Sequence, residues 1–140
     1  GLIPRRDVVA IVRGATAMVF PSRYEGFGLP VLEAMGLGTP VLSSVAGALP
    51  EVVGDAAVKL PVEDAAAWVE AMLRILEDDE QRARLVEAGR KRVAEFTWAR
   101  TADATLGTYR AVLGDGAAPP PPPDDAPRGP EGARDDGALP

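Results

Sequence analysis

Three short, mostly apolar runs, each separated from the next by a segment with helical character, constrain the fold most strongly. The runs cover residues 17–20, 40–43 and 56–60, and turn-forming residues such as Pro, Gly, Ser and Asp flank them. Apolar runs of this length between such flanks are typical of buried strands. Because strands that alternate with helices pair in parallel, the order predicts an α/β fold, with a parallel sheet flanked by helices.

The segments between and after these runs carry helix signals. The predicted helices cover residues 5–13, 30–37, 48–53, 64–77, 79–95 and 97–113. Pro30 suits a first helical position and Gly38 suits a helix end. Asp64 and Thr97 are candidate N-caps. In the helix that Asp64 begins, five apolar side chains are expected to face the core: Trp68, Met72, Leu73, Ile75 and Leu76.

The composition excludes several kinds of site. The chain has 140 residues and a net charge of −6, without the basic excess that binding a nucleic-acid backbone requires. It has no Cys for a disulfide or a thiolate metal site, and no His, the commonest general base and metal ligand. Its longest apolar runs are too short to span a bilayer. Because the chain has no basic excess, we expect no nucleic-acid partner.

Residues 114–140 differ from the rest of the chain in composition. They are rich in Pro, Gly, Ala and Asp and hold six acidic residues against two arginines. With almost no large apolar side chain, this segment cannot bury enough surface to offset its ordering entropy. We expect a disordered tail, locally polyproline II at residues 119–123. The alternative is a ligand for a proline-binding module.

The stretch YEGFGLPVLEA, residues 24–34, joins the first predicted strand to the helix that follows it. A strand, a glycine-containing turn and a helix N-terminus form an anion site, because free N–H groups and the helix dipole point towards the ligand. Gly26 and Gly28 allow a ligand to approach the backbone closely. We predict a crevice beyond the carboxyl ends of the strands, where the donors of residues 27–32 bind a phosphate or a sugar hydroxyl.

Two carboxylates, Glu25 and Glu33, bracket this turn. On one continuous helix they would lie roughly 12 Å apart, beyond the ~5–9.5 Å of glycosidase carboxylate pairs. We expect Glu25 in the loop and Glu33 in the first turn of the helix, both facing one crevice, where each can bind a vicinal diol. The alternatives are that Glu33 only complements its helix N-terminus, that Glu25 is an exposed loop acid, and that Phe27 is a core plug.

Residues 20–57, FPSRYEGFGLPVLEAMGLGTPVLSSVAGALPEVVGDAA, resemble the C-terminal signature of family 4 retaining glycosyltransferases with the GT-B fold. The hallmark of that signature is Glu-x7-Glu, which Glu25 and Glu33 match, and the later stretch FTWARTADATLGTYRAVL is similar as well. Gly36 stands where many members have Ala. The resemblance covers residues 1–113 and implies a partial GT-B C-terminal domain, with a Rossmann-like parallel sheet flanked by helices.

The resemblance implies that this stretch binds a nucleotide-sugar donor, a UDP-, GDP- or ADP-sugar. Glu33 would bind the ribose hydroxyls, and Glu25, the candidate catalytic residue, would contact and position the donor sugar. The backbone amides between them would contact the sugar and the diphosphate. Arg23 lies at a variable family position and is expected at the surface. The implied donor-binding residues are Glu25, Gly26, Phe27, Gly28, Leu29 and Glu33.

A complete enzyme of this family transfers a hexosyl group to an acceptor hydroxyl, and the resemblance implies neither a metal nor another cofactor. The basic pair that neutralises the diphosphate and the N-terminal acceptor-binding domain would precede Gly1. We therefore expect a C-terminal fragment that is inactive alone, in the cytoplasm, with peripheral association at the inner face of the plasma membrane through the missing domain. The alternatives are a non-catalytic remnant or accessory nucleotide-sugar-binding module, and another GT-B enzyme such as an epimerase.

Deletion of residues 114–140 is expected to leave the melting temperature almost unchanged, because this segment has almost no large apolar side chain to bury. Thermal unfolding of the full chain and of residues 1–113, followed by circular dichroism, measures the difference. A drop of several degrees would show that the segment docks on the domain.

Overall fold

The computed structural model describes residues 3–114, so the predicted tail lies outside the described residues except for Gly114. The elements, in chain order, are α1 (Arg5–Gly14), β1 (Met18–Phe20), α2 (Leu29–Gly36), β2 (Val41–Ser44), α3 (Leu49–Val53), β3 (Val58–Leu60), α4 (Ala65–Glu77), α5 (Asp79–Ala94) and α6 (Trp98–Leu113). Every predicted strand and helix is present, and the ends differ from the predicted ones by at most two residues. Within this part of the chain, no helix is long and apolar enough to cross a bilayer.

The three strands form one parallel sheet in the order β1-β2-β3. Met18 lies opposite Val41, and Leu42 lies opposite Val58. Parallel neighbours need a crossover connection, and the segments that contain α2 and α3 provide the two crossovers. The segments that follow the strands therefore all begin at the same end of the sheet. The arrangement confirms the predicted α/β fold with a parallel sheet flanked by helices.

Apolar side chains pack on both faces of this sheet. On one face Val41 packs with α2 and α3, and on the other Leu42 packs with α4, because adjacent residues of a strand point to opposite faces. The buried residues of the first core are Val31, Leu32, Ala34, Met35, Val41, Leu49, Val52, Val53, Ala56 and Ala57. The buried residues of the second core are Leu42, Leu60, Trp68, Ala71 and Ile75.

Helix α4 buries fewer side chains than the sequence predicts. Trp68, Ala71 and Ile75 form its buried stripe, and the Trp68 indole N–H donates to the carbonyl of Pro61 over 2.8 Å. The predicted burial is wrong for three side chains, which are 36%, 52% and 61% exposed: Met72, Leu73 and Leu76. The second face of a three-stranded sheet is narrow, so it covers one line of residues on the helix.

Side-chain caps begin the last three helices. Asp64, Asp78 and Thr97 each accept a hydrogen bond from the backbone N–H three residues further along the chain. A cap of this kind stabilises a helix by about 1 kcal/mol. The predictions for Asp64 and Thr97 are confirmed. Gly38, with φ of 80°, follows the end of α2 in the left-handed conformation that glycine favours.

Thr39 connects α1 to the start of β2. Its hydroxyl donates to the carbonyl of Val12 over 2.7 Å, and the residue is 2% exposed. Helix α1 has no fully buried residue of its own. The Thr39 hydrogen bond therefore contributes directly to the position of α1 beside the sheet.

Thr39→Val is expected to lower the free energy of unfolding by about 1 kcal/mol, because Val keeps the shape of the side chain but removes the shorter of the two hydrogen bonds to the Val12 carbonyl, which keeps the Ala15 N–H at 3.1 Å. Urea unfolding followed by tryptophan fluorescence measures the change. The matched control is Thr105→Val, which removes an exposed hydroxyl that donates to Thr101 over 2.8 Å. The control should change stability by no more than about 0.5 kcal/mol. Equal losses in the two variants would contradict the role given to Thr39.

Candidate functional site

The loops that follow β1 and β2 meet beyond the carboxyl end of the sheet. The backbone N–H of Ala48, after β2, donates to the carbonyl of Glu25, after β1, over 3.1 Å. Gly47 has φ of 57°, and a Cβ there would lie 2.3 Å from the same carbonyl oxygen. Only glycine allows so close an approach of the two backbones. Ligands of open α/β sheets bind in crevices at this end of the strands.

Glu25 lies in the loop after β1, as predicted, and is half-buried. The single Ser22 O–H is shared between two acceptors, the carbonyl of Tyr24 at 3.0 Å and the Glu25 Oε1 atom at 3.2 Å. The Ser22 carbonyl in turn accepts a hydrogen bond of 2.6 Å from the buried hydroxyl of Ser44, at the end of β2. Two serines from neighbouring strand ends therefore orient this carboxylate.

The backbone N–H groups of residues 26–29 make no hydrogen bond to any residue between 3 and 114. Helix α2 begins at Leu29 with Pro30 in its first turn, and no side chain in the described part of the chain caps it. Gly28 has φ of 98°, and a Cβ there would lie 2.7 Å from the Leu49 side chain, so the turn packs directly against α3. Unpartnered donors at the positive end of a helix dipole can bind an anion.

Glu33 lies in the second turn of α2. The sequence-based prediction placed it in the first turn, but the helix begins at Leu29 and its first turn holds no acidic residue. The prediction was wrong because it started the helix at Pro30. The carboxylate forms an ion pair of 3.0 Å with Arg5, and the two side chains are 58% and 87% exposed. A pair so exposed contributes about 0–1 kcal/mol, so a ligand can displace Arg5 at little cost.

The predicted site residues line two separate cavities rather than one. Gly26 and Phe27 line a cavity of about 330 Å³ beside the end of α5. Glu33 lines a cavity of about 580 Å³ between α1 and α2. The remaining three predicted residues line neither of these cavities: Glu25, Gly28 and Leu29. The loop after β1 and the start of α2 therefore lie between the two cavities.

Two further side chains of the loop, Phe27 and Arg23, are exposed. Phe27 is 43% exposed, so the alternative that it is a core plug is wrong. Its ring packs edge-to-face on Phe96, with 5.8 Å between the ring centroids. Arg23 forms an exposed ion pair with Glu63, with 2.8 Å between Nη1 and Oε1. Arg23 therefore lies at the surface, as expected.

Sequence reasoning missed the residues outside the loop that contact either the loop or Glu33. They are Arg5, Ser44, Gly47, Ala48 and Phe96. A signal for some of them is present in SSVAGA, residues 43–48, where Ser44 and Gly47 follow the last residue of a predicted strand. Because the carboxyl ends of parallel strands meet at one edge, these residues could have been placed beside Glu25.

Comparison with known proteins adds independent information. The family model described as glycosyl transferases group 1 matches residues 1–92. The O-antigen chain mannosyltransferase B of Escherichia coli is 38% identical over 112 residues, covering 80% of this chain and 29% of that protein. The D-inositol 3-phosphate glycosyltransferase of Saccharomonospora viridis is 37% identical over 110 residues, covering 77% of this chain and 26% of that protein.

A solved structure agrees with these matches. The sucrose-phosphate synthase from Thermosynechococcus elongatus superposes with a TM-score of 0.69 at 34% sequence identity, over 83% of this chain and 30% of that chain. The chain thus spans less than a third of the length of each of these relatives. The family match, the sequence identities and the shared fold confirm the resemblance to the C-terminal part of GT-B glycosyltransferases, and this chain belongs to the glycosyl transferases group 1 family.

Proposed function

We propose that this chain is the donor-binding part of a retaining glycosyltransferase and binds the nucleotide-sugar from which a hexosyl group passes to an acceptor hydroxyl. The observation that carries the proposal is the row of N–H groups at residues 26–29, which have no partner within residues 3–114 and lie between Glu25 and Glu33 at the carboxyl end of the sheet. A nucleotide-sugar has a diphosphate for those donors and vicinal diols for the two carboxylates. Membership of a glycosyltransferase family supports the same ligand class.

The role proposed for each group is the one that the family resemblance implies for its position. The free N–H groups and the positive end of the α2 dipole bind the diphosphate and stabilise its charge as it leaves. Glu33, in the next turn of α2, accepts hydrogen bonds from the ribose hydroxyls after Arg5 moves away. Glu25, oriented by Ser22, accepts hydrogen bonds from the donor sugar. Glu25 is the proposed catalytic residue because it touches the reacting sugar.

The proposed reaction depends on positioning of the substrates and on stabilisation of the charge of the leaving diphosphate. The bond between the anomeric carbon and the diphosphate oxygen breaks, the acceptor oxygen bonds to that carbon on the same face, and the acceptor hydroxyl proton passes to an oxygen of the departing diphosphate. The diphosphate takes the bonding electrons, so donors aimed at it lower the barrier. This reaction uses neither a metal nor another cofactor.

The acceptor site is proposed to lie outside this chain, which spans less than a third of its relatives' length. We propose that the chain alone binds donor but turns over little or none of it. We also propose that the protein is cytoplasmic and contacts the inner face of the plasma membrane through its acceptor-binding domain.

Calorimetric titration with UDP-glucose, GDP-mannose and ADP-glucose tests donor binding, and at least one of them is expected to bind. Glu33→Ala should weaken binding of that donor and of its free nucleoside diphosphate by about ten-fold, because both contain the ribose and the carboxylate's hydrogen bonds are charge-assisted. Glu25→Gln should weaken binding of the donor while leaving the nucleoside diphosphate unchanged, because only the donor contains the sugar.

Glu77→Ala, an exposed glutamate at the end of α4, is the control and should bind as the parent chain does. Absence of binding at millimolar concentration of all three donors would refute the proposal, as would an unchanged affinity in Glu33→Ala. Donor binding here, together with no transferase activity in the longer protein, would identify an accessory nucleotide-sugar-binding module instead.

A further inference from the structure

A second aromatic ring lies directly against the proposed donor loop. Phe96, in the short connection between α5 and α6, packs on Phe27 with 5.8 Å between the ring centroids and 84° between the ring planes. This is the edge-to-face geometry that aromatic pairs prefer. Both residues are accessible, at 43% for Phe27 and 36% for Phe96, so the pair lies outside the two cores. Core packing therefore does not explain why the two rings meet.

Arg92 contacts the Phe96 ring through its guanidinium group. Its guanidinium carbon lies 5.0 Å from the centroid of the Phe96 ring, within the range of cation–π attraction. The Nε atom donates to the carbonyl of Val52 over 3.0 Å, and further bonds reach the carbonyl of Glu51 and the carboxylate of Glu95. The Arg92 side chain is only 12% exposed. It thus connects the end of α3 to the end of α5, and the Phe96 ring packs on this connection.

The loop itself has few restraints of its own at this point. Gly26 and Gly28 flank Phe27, and glycine adopts many backbone conformations. The N–H groups of residues 26–28 have no hydrogen bond within the described part of the chain. Contacts made by Glu25 and Gly28 hold the two ends of the turn. The side chain between the two glycines is Phe27, and the partner of its ring is Phe96.

We propose that Phe96 is a positioning residue for this loop: backed by Arg92, it holds Phe27 so that the N–H groups of residues 26–28 keep the conformation that binds the diphosphate. That the loop binds a diphosphate rests on the proposed function, whereas the effect of Phe96 on the loop conformation does not. Donors held in their bound conformation before the ligand arrives bind it more tightly, because no ordering entropy remains to be lost.

Phe96→Leu tests the proposal in the full chain, because Leu keeps an apolar side chain but removes the edge-to-face and cation–π contacts. The backbone order parameters of residues 26–28, from ¹⁵N relaxation, are expected to fall from about 0.85 to below about 0.6. The dissociation constant of the donor should rise about two- to ten-fold, the range that loss of an aromatic pair produces. Phe96→Tyr keeps the ring and should restore both values.

Two controls separate positioning from general stability. Trp98→Leu removes an aromatic side chain that is 89% exposed, two residues away, and should leave the order parameters of residues 26–28 unchanged. The double variant Phe27→Leu/Phe96→Leu should bind donor no more weakly than Phe27→Leu alone, because the two rings act through one contact.

The possible outcomes separate the positioning role of Phe96 from donor binding. Unchanged order parameters in Phe96→Leu would overturn the positioning role, whatever happens to donor binding. A uniform fall along the whole chain would also overturn it, because that result indicates general loosening. A fall confined to residues 26–28 in a chain that binds no nucleotide-sugar would support the positioning role and refute the donor-binding proposal alone.

Discussion

The architecture of this domain depends on strand β2, which is buried at all four of its residues. It pairs in parallel with a strand on each side, so its backbone hydrogen-bonding groups are satisfied within the sheet. Val41 and Leu42 point to opposite faces and enter the two cores. The three strands of this parallel sheet all run in the same direction. The loops after β1 and β2 therefore lie side by side, which makes a shared site possible.

Backbone hydrogen bonds and hydroxyl groups, rather than ion pairs, position Glu25 in the candidate site. Glu25 is positioned through its carbonyl by Ala48 and through its carboxylate by Ser22. Within residues 3–114 the donors of residues 26–29 have no protein partner, and all of these residues except Gly28 are exposed. A loop that is supported at its ends and by one aromatic contact, with its donors free, is suited to binding an anion with little rearrangement.

Much of the fold could be predicted, because its signals are local. Apolar runs of strand length and the caps Asp64 and Thr97 depend on neighbouring residues, so every element was expected close to its observed ends. The predictions failed where the outcome depends on distant residues. Leu73 is exposed because only one stripe of α4 packs on the sheet, and Glu33 lies one residue further into α2 than a start at Pro30 indicated, which places it in the second turn. Neither fact is visible in a short window of sequence.

The sequence by itself determined the order of strands and helices, the glycine turn between two carboxylates and the resemblance to a glycosyltransferase signature. Periodicity, capping residues and motif spacing are properties of neighbouring residues, so they need no knowledge of packing. Only the tertiary structure decided that Ser44 and Ala48 orient Glu25, that Arg5 pairs with Glu33 and that Phe96 packs on Phe27. Those contacts join segments far apart in the chain, and they exist because parallel strands bring their carboxyl ends to one edge of the sheet.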